Sequence, residues 1–420
     1  MKIYEIRDPV YGFIRFNEWE REIINHPAFQ RLRRIRQLGF TDMVYPGAVH
    51  TRFEHSLGVM HLITKMYDSI LSKDENKGIL KEYLNYDEAG FKRDRQLIRL
   101  AGLLHDIGHP PFSHVSEELF PQNPQTDNPY SHEDYTVAII TDLLKETIEN
   151  HPINKNNYNI TTDEIAAVII GNPNILGKRI FWKILISSQL DADRCDYLLR
   201  DSLHIGVKYG IYDLDRLLVT LRLGKDPERN VILGIEEGGW HVSEQIVIAR
   251  YQMFTQVYYH KTRRAYDYML KQALKDAIQT YPSPKKIGDF LAFDDYHAVK
   301  LIPKNNEWFN KVLKREHIRM VLETEDMPSK KEKKKIEKFK KKLSASGIWF
   351  WEDRSEDAKN WYDMESEEIQ IIDEVGNVKP LSQYSKIVHS LKTRFNKIRI
   401  YVKFEEKEKA KKLKKEVYHE

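Results

Sequence analysis

With 420 residues, 41% of them hydrophobic, 11% aromatic and 31% charged, the chain is too long for one hydrophobic core and too apolar for a disordered polymer, so it reads as two or three packed units. Sixty-seven Lys and Arg against 63 Asp and Glu leave a formal +4, too small a surplus to indicate a nucleic-acid binder, and no nucleic-acid partner is expected. The single cysteine, Cys195, excludes an intramolecular disulfide and a cysteine-built zinc site, and no apolar run approaches the roughly 18 residues of a membrane span; a cytoplasmic protein is the expectation.

The chain opens with small apolar runs around Asp8-Pro9 and Gly12, which predict a short hairpin. From Asn17 to Leu38, Trp19, Ile23, Ile24, Phe29, Leu32 and Ile35 recur at helical spacing, interrupted at Pro27. The same spacing predicts helices over about 54–72, 94–106, 132–149, 162–170, 179–203 and 243–280. Val219–Leu223 and Val231–Ile235 flank a turn beginning at Gly224 and predict an antiparallel pair. The character changes at Tyr281-Pro282-Ser283-Pro284, which sets an expected boundary between a region 1–284 and a region 285–420. Beyond it come a Lys-rich helix over 330–343, the aromatic patch Trp349-Phe350-Trp351 and strand-like alternation over 398–404. Lys333, Lys334 and Lys335 belong to a run interspersed with Glu, which predicts a solvated helix face. The expected fold is mainly α with small β-hairpins, followed by a C-terminal α+β region, and no internal repeat is visible.

Chemistry concentrates at Leu103-Leu104-His105-Asp106-Ile107-Gly108-His109, where an apolar helix ends ahead of Pro110-Pro111. Adjacent His and Asp at a helix end can reach one ion, because the backbone is leaving regular geometry and neighbouring side chains need not diverge. Imidazole mixed with carboxylate suits Mn²⁺, Fe²⁺ or Mg²⁺ better than a structural zinc. Upstream, Arg52-Phe53-Glu54-His55 opens a helix with a histidine in its first turn; downstream, Asp191, Asp193 and Asp196 crowd three carboxylates into an apolar rhythm. A buried carboxylate needs a partner, and a metal is one.

The order His, His-Asp, Asp on separate segments resembles the HD superfamily. The resemblance extends to the deoxynucleoside triphosphate triphosphohydrolases, over roughly 8–270. It rests on Phe29-Gln30-Arg31-Leu32-Arg33, Gln37-Leu38-Gly39, Tyr45-Pro46-Gly47-Ala48, the two His-bearing stretches above, Pro111-Phe112-Ser113-His114, Asp193 through Asp201, and Tyr258-Tyr259-His260-Lys261.

The resemblance implies a helical HD phosphohydrolase core over 1–284 with 285–420 as a regulatory or oligomerisation region, and one divalent ion held by His55, His105, Asp106 and Asp193, Asp191 being the neighbouring alternative for the last ligand. It implies His114 as general acid with Glu117 as its orienter, where the family carries Asp, and His109 and His132 on the α-phosphate. Arg52, Arg194, Arg250 and His260 would clamp the outer phosphates, Arg194 standing where relatives often carry Lys. Gln37 and Asp201 would meet the sugar 3′-hydroxyl, Tyr197 would pack on the ribose, and Leu38 with Tyr258 would crowd C2′ and disfavour a 2′-hydroxyl. The implied reaction is attack of a metal-activated water at the α-phosphorus, releasing a deoxynucleoside and triphosphate. A nucleotide effector site is implied at Asn25, Gln30, Arg33 and Lys261, although Asn25 replaces a family Asp and Tyr4 a lysine; such a site would lie between subunits of a dimer or tetramer. The competing readings are an HD phosphohydrolase acting on another phosphate ester and a non-catalytic nucleotide sensor.

Overall fold

Alternating residues form β1 (Ile3–Asp8) and β2 (Gly12–Asn17), paired antiparallel with Asp8 opposite Gly12. Gly12 adopts φ +79°, the left-handed conformation a tight turn requires, and Asp8 Oδ1 accepts the Val10 and Tyr11 N–H groups at 2.9 Å each. Asn17 and Glu20 then form a capping box that starts α1 (Glu18–Asn25), and the chain breaks at Pro27 as expected. The computed structural model describes residues 2–226, 228–355, 368–391 and 396–419.

The central helix is α2 (Arg52–Leu71), started by a Thr51–Glu54 capping box and buried on most of its circumference. Against it packs α3 (Glu88–Leu104), which begins earlier than its apolar spacing suggested because Asp87 caps it through the Gly90 N–H. Gly102 allows the two helices to approach: a Cβ there would stand 2.9 Å from Ile63 Cγ2. The expected 132–149 helix is α4 (His132–Ala138) followed by a π turn over Ile139–Leu143 and a further short helix. Helix α5 (Thr162–Ile170) lies where the spacing placed it.

The expected 179–203 helix is two pieces. Gly177–Leu185 is a 3₁₀ segment, and α6 (Ala192–Ile205) starts only after Asp191, whose side chain caps it by accepting the Arg194 N–H. The pair β3 (Leu221–Lys225) and β4 (Val231–Glu236) is antiparallel, as expected. The long helix expected over 243–280 is α7 (Trp240–Met253), a π turn over Phe254–Tyr258, and α8 (Lys261–Ile278).

Farther along lie α9 (Asp295–Leu301), β5 (Arg319–Glu323), the Lys-rich α10 (Lys330–Ala345), β6 (Phe350–Arg354), β7 (Gln370–Ile372), β8 (Val378–Pro380), β9 (Ile398–Val402) and α11 (Lys407–His419). The sheet orders are β3-β4-β7-β8, with β4 and β7 parallel, and β5-β9-β6. The fold is therefore the expected mainly helical core with an α+β C-terminal region. One apolar cluster runs from Ile14 to Val388 and takes in Ile287, Phe290, Ile371 and Leu381. A smaller one joins β5, β9, α10 and α11 through Leu322, Ile336, Phe339, Ile400 and Val417. Among the described residues no helix is long and apolar enough to cross a membrane.

Candidate active site

Three elements converge on one point: the first turn of α2, the end of α3 and the first turn of α6. His55 Nε2 lies 3.0 Å from Asp193 Oδ1 and 3.5 Å from Asp106 Oδ2; His105 Nε2 lies 3.4 Å from Asp106 Oδ1 and 3.7 Å from Asp193 Oδ1. Donors bound to one ion at about 2.1 Å and separated by 90–110° stand about 3.0–3.4 Å apart, so these edges are close to those of a coordination polyhedron. Both Nε2 atoms are buried without a hydrogen-bond partner. His55, His105 and Asp106 form a group able to hold a metal, and Asp193, with a side chain 34% exposed, faces the same point from the open side. Buried donors aimed at one point, with two carboxylates to balance charge, fit a divalent cation.

The other ring nitrogens are secured differently. His105 Nδ1 pairs with the Gly102 carbonyl at 2.9 Å, and His55 Nδ1 with Asp196 Oδ2 at 2.8 Å. Burial alone would lower the His55 pKa, but the Asp193 and Asp196 carboxylates beside its two nitrogens outweigh this and raise it to about 10. Burial pushes the Asp193 carboxyl up, while the imidazoles of His105 and His55 hold it well below the usual carboxylate range. Asp106 is likewise depressed against its burial, mainly by the Arg52 guanidinium that donates to it. Arg52 Nε also donates to Ser113 Oγ at 2.7 Å.

Next to this point stand His109, His114, Glu117 and His132. Glu117 Oε1 lies 2.9 Å from His114 Nδ1, 2.8 Å from His132 Nδ1 and 3.8 Å from His109 Nδ1. Two of these separations are hydrogen-bond lengths, shorter than the edges of the first cluster, so Glu117 acts as a carboxylate hub for imidazoles. His109 stacks on His132 at 3.9 Å, and its Nε2 reaches Asp106 Oδ1 at 3.3 Å. Desolvation, Arg52 and His132 together hold His109 well below the ordinary histidine range, which favours its neutral form. The longer Glu side chain spans the distance to His114, and it also reaches His132.

The other sequence candidates fall into two groups. Asp201 receives Tyr258 Oη at 2.6 Å and pairs with His50 Nε2 at 2.7 Å; Tyr197 meets Tyr258 edge-on at 6.1 Å; the Gln37 Oε1 is buried without a partner; and Leu38 is in the core. The candidates for the outer phosphates, by contrast, are engaged within the chain. Arg194 donates to Asp191 and to the Ser188 carbonyl, Arg250 Nη1 donates to Gln189 at 2.6 Å, and His260 Nδ1 caps α8. Gln30 bonds the Ile24 carbonyl and Arg33, whose guanidinium lies 3.5 Å over Phe53; Asn25 ends α1, and Lys261 stands at the start of α8.

Sequence reasoning counted Asp196 among three crowded carboxylates without giving it a role, and did not single out Arg200, His50 or Asp295. An Asp and an Arg four apart, as in Asp196 and Arg200, were a readable helical pair; His50 and Asp295 carried no local signal. Asp295 accepts the Phe112 and Arg36 N–H groups at 2.7 and 2.9 Å. It thereby pins a turn in which Phe112 and Ser113 both adopt φ +57°, a strained conformation just before His114.

The HD domain profile matches residues 52–179, the stretch carrying His55, His105, Asp106 and the imidazole cluster, and an HD associated region matches 212–419. A solved hypothetical protein of Aquifex aeolicus superposes with TM-score 0.77 at 31% identity, covering 98% of this chain and all of that one. The chain belongs to the HD-domain family. A second solved structure, a phosphohydrolase of Bacteroides thetaiotaomicron, gives TM-score 0.71 at 27% identity over 96% of this HD protein and all of its own chain. An uncharacterized Bacillus subtilis protein is 36% identical over 280 residues, 66% of this chain and 56% of its own. A mouse deoxynucleoside triphosphate triphosphohydrolase, SAMHD1, is 28% identical over 342 residues, 73% of this chain and 49% of its own. The HD protein thus spans about half the length of these two relatives.

Proposed function

We propose that this HD protein hydrolyses deoxynucleoside triphosphates to deoxynucleoside and triphosphate, with one divalent ion, Mn²⁺, Mg²⁺ or Fe²⁺, as its cofactor. The observation that carries this reading is the convergence of His55, His105, Asp106 and Asp193 beside the imidazoles gathered by Glu117. A divalent ion held there supplies Lewis-acid polarisation of a phosphoryl oxygen and a lowered pKa for water. His109 and His132 line the position of the α-phosphate, while Glu117 holds His114 through Nδ1 and leaves Nε2 as the atom that gives its proton to the departing 5′-oxygen. Arg52 sits close enough to Asp106 and Ser113 to balance charge on the phosphate. Gln37 Oε1, Asp201 and Tyr197 supply a sugar pocket, and Leu38 with Tyr258 leaves little room for a 2′-hydroxyl. A nucleotide effector at Asn25, Gln30, Arg33 and Lys261, a dimeric or tetrameric assembly and a cytoplasmic location belong to the same proposal.

One observation favours a second reading, hydrolysis of a shorter phosphate ester: Arg194 and Arg250 are already engaged by Asp191 and Gln189, which weakens the outer-phosphate clamp. Product analysis separates the two. With Mn²⁺ and each dNTP in turn, tripolyphosphate is expected as the first product; orthophosphate or pyrophosphate overturns the proposal.

A further inference from the structure

The imidazole of His55 is gripped at both nitrogens by one helix. Asp193 and Asp196 are three residues apart, so both project from the same face of α6. Asp193 Oδ1 stands 3.0 Å from Nε2, and Asp196 Oδ2 stands 2.8 Å from Nδ1. Asp196 is fully buried, and its carboxylate would be costly there without compensation. Arg200, one turn farther along α6 and equally buried, supplies it with a fork: Nε to Oδ2 at 2.8 Å and Nη2 to Oδ1 at 2.9 Å. The remaining arm of that guanidinium, Nη1, donates to Asp8 Oδ2 at 2.8 Å. Asp8 in turn uses its other oxygen to close the β1–β2 turn on the Val10 and Tyr11 N–H groups.

A continuous chain of hydrogen bonds therefore runs from the hairpin turn through Asp8, Arg200 and Asp196 to the ring of His55. The facing helix is shaped for it. Gly58, one turn beyond His55 on α2, is where a Cβ would stand 2.0 Å from Asp196 Oδ1 and 2.2 Å from Arg200 Nη2, so the ion pair lies in space that only glycine leaves open. His105 lacks such support, its Nδ1 being held by a backbone carbonyl of its own helix.

We propose that Asp196, backed by Arg200 and Asp8, is the positioning residue that keeps His55 Nδ1 occupied and Nε2 turned toward the ion, so that metal affinity is set in part from the N-terminal hairpin. This rests on the metal-site reading above. A carboxylate behind a ligating histidine fixes the ring and raises its basicity, and removing such a partner typically weakens metal binding about 10–100-fold.

The 420-residue chain, stripped with a chelator, is titrated with Mn²⁺ alone while free Mn²⁺ is followed by electron paramagnetic resonance. Asp196→Asn is expected to bind about 10–100-fold more weakly than wild type. Its circular dichroism should be native, and the ¹⁵N shifts of the His55 ring should change. Asp8→Asn, which leaves the Asp196–Arg200 fork in place, should lose less in the same direction. Asp196→Asn that is folded and binds Mn²⁺ within twofold of wild type overturns the positioning role alone; wild type that binds no Mn²⁺ overturns both this proposal and the function above. If Asp196→Asn does not fold, Arg200→Lys, which keeps the charge but loses the fork, takes its place: weakened binding with altered His55 signals supports the proposal, and unchanged affinity refutes it.

Discussion

His114 has its Nδ1 on Glu117, while its side chain remains 60% exposed at the mouth of the site, the placement expected of a group that meets a leaving oxygen. His114→Ala should lower turnover about 10²–10⁴-fold and leave the Mn²⁺ content of the purified protein unchanged, since the substitution touches none of the four converging donors. Loss of the metal together with activity would assign His114 to the ion instead. The stretches bearing the four candidate ligands were legible in the sequence as a His in the first turn of a helix, a His-Asp pair at a helix end and carboxylates among apolar neighbours, while the choice of Asp193 over Asp191 came from the family resemblance. Their supports were less so. Asp196 meets His55 across 141 residues, His50 meets Asp201 across 151, and Asp295 meets Phe112 across 183, separations no local pattern reports. The engagement of Arg194 by Asp191 was hidden for the opposite reason: both lie in one segment, but the helix start that turns them toward each other was expected farther upstream.

The elements most poorly read were those interrupted by irregular turns. Apolar residues recur on both sides of the π turns at Ile139–Leu143 and Phe254–Tyr258, so spacing alone did not mark the break in either helix. Helix α5 was well placed, and its start supports a prediction. Glu164 closes a capping box with Thr161 and also receives Arg93 and Arg179 at 2.8 Å each, tying α5 to α3 and to the 3₁₀ segment. Burial raises its pKa, but Arg93, the Thr161 N–H and Arg179 outweigh this and lower it from 4.5 to about 2. A folded-state pKa below the unfolded one contributes stability that is fully present above about 4.5 and lost as the pH falls toward 2. Urea unfolding across that window should show wild type losing stability more steeply than Glu164→Gln; parallel curves would refute the linkage. The turn before His114 gives another test. Asp295→Ala strands two backbone N–H groups and should cost about 1–3 kcal/mol by thermal unfolding, with turnover reduced and Mn²⁺ binding retained.

At the scale of the whole chain, the helical class and the α+β C-terminal region could be anticipated from composition and periodicity. The return of β7 to pair with β4 could not, because three residues of strand carry too little pattern to show where they dock. We propose that the division at 284 separates regions of different role, not units that fold alone. A fragment of residues 1–284 lacks Ile287, Phe290, Ile371 and Leu381 from the main cluster and should be unfolded by circular dichroism; a cooperative melt for that fragment would refute this. The Lys-rich helices carry the last consequence. Helix α10 has nine lysines to two glutamates and α11 six to two, and their apolar sides meet in one cluster, so most of this charge faces outward around it. A formal +4 overall then leaves the remainder of the molecule net acidic. Charge divided in this way should make the protein bind a cation exchanger far more strongly than its net charge implies, and added salt should release it.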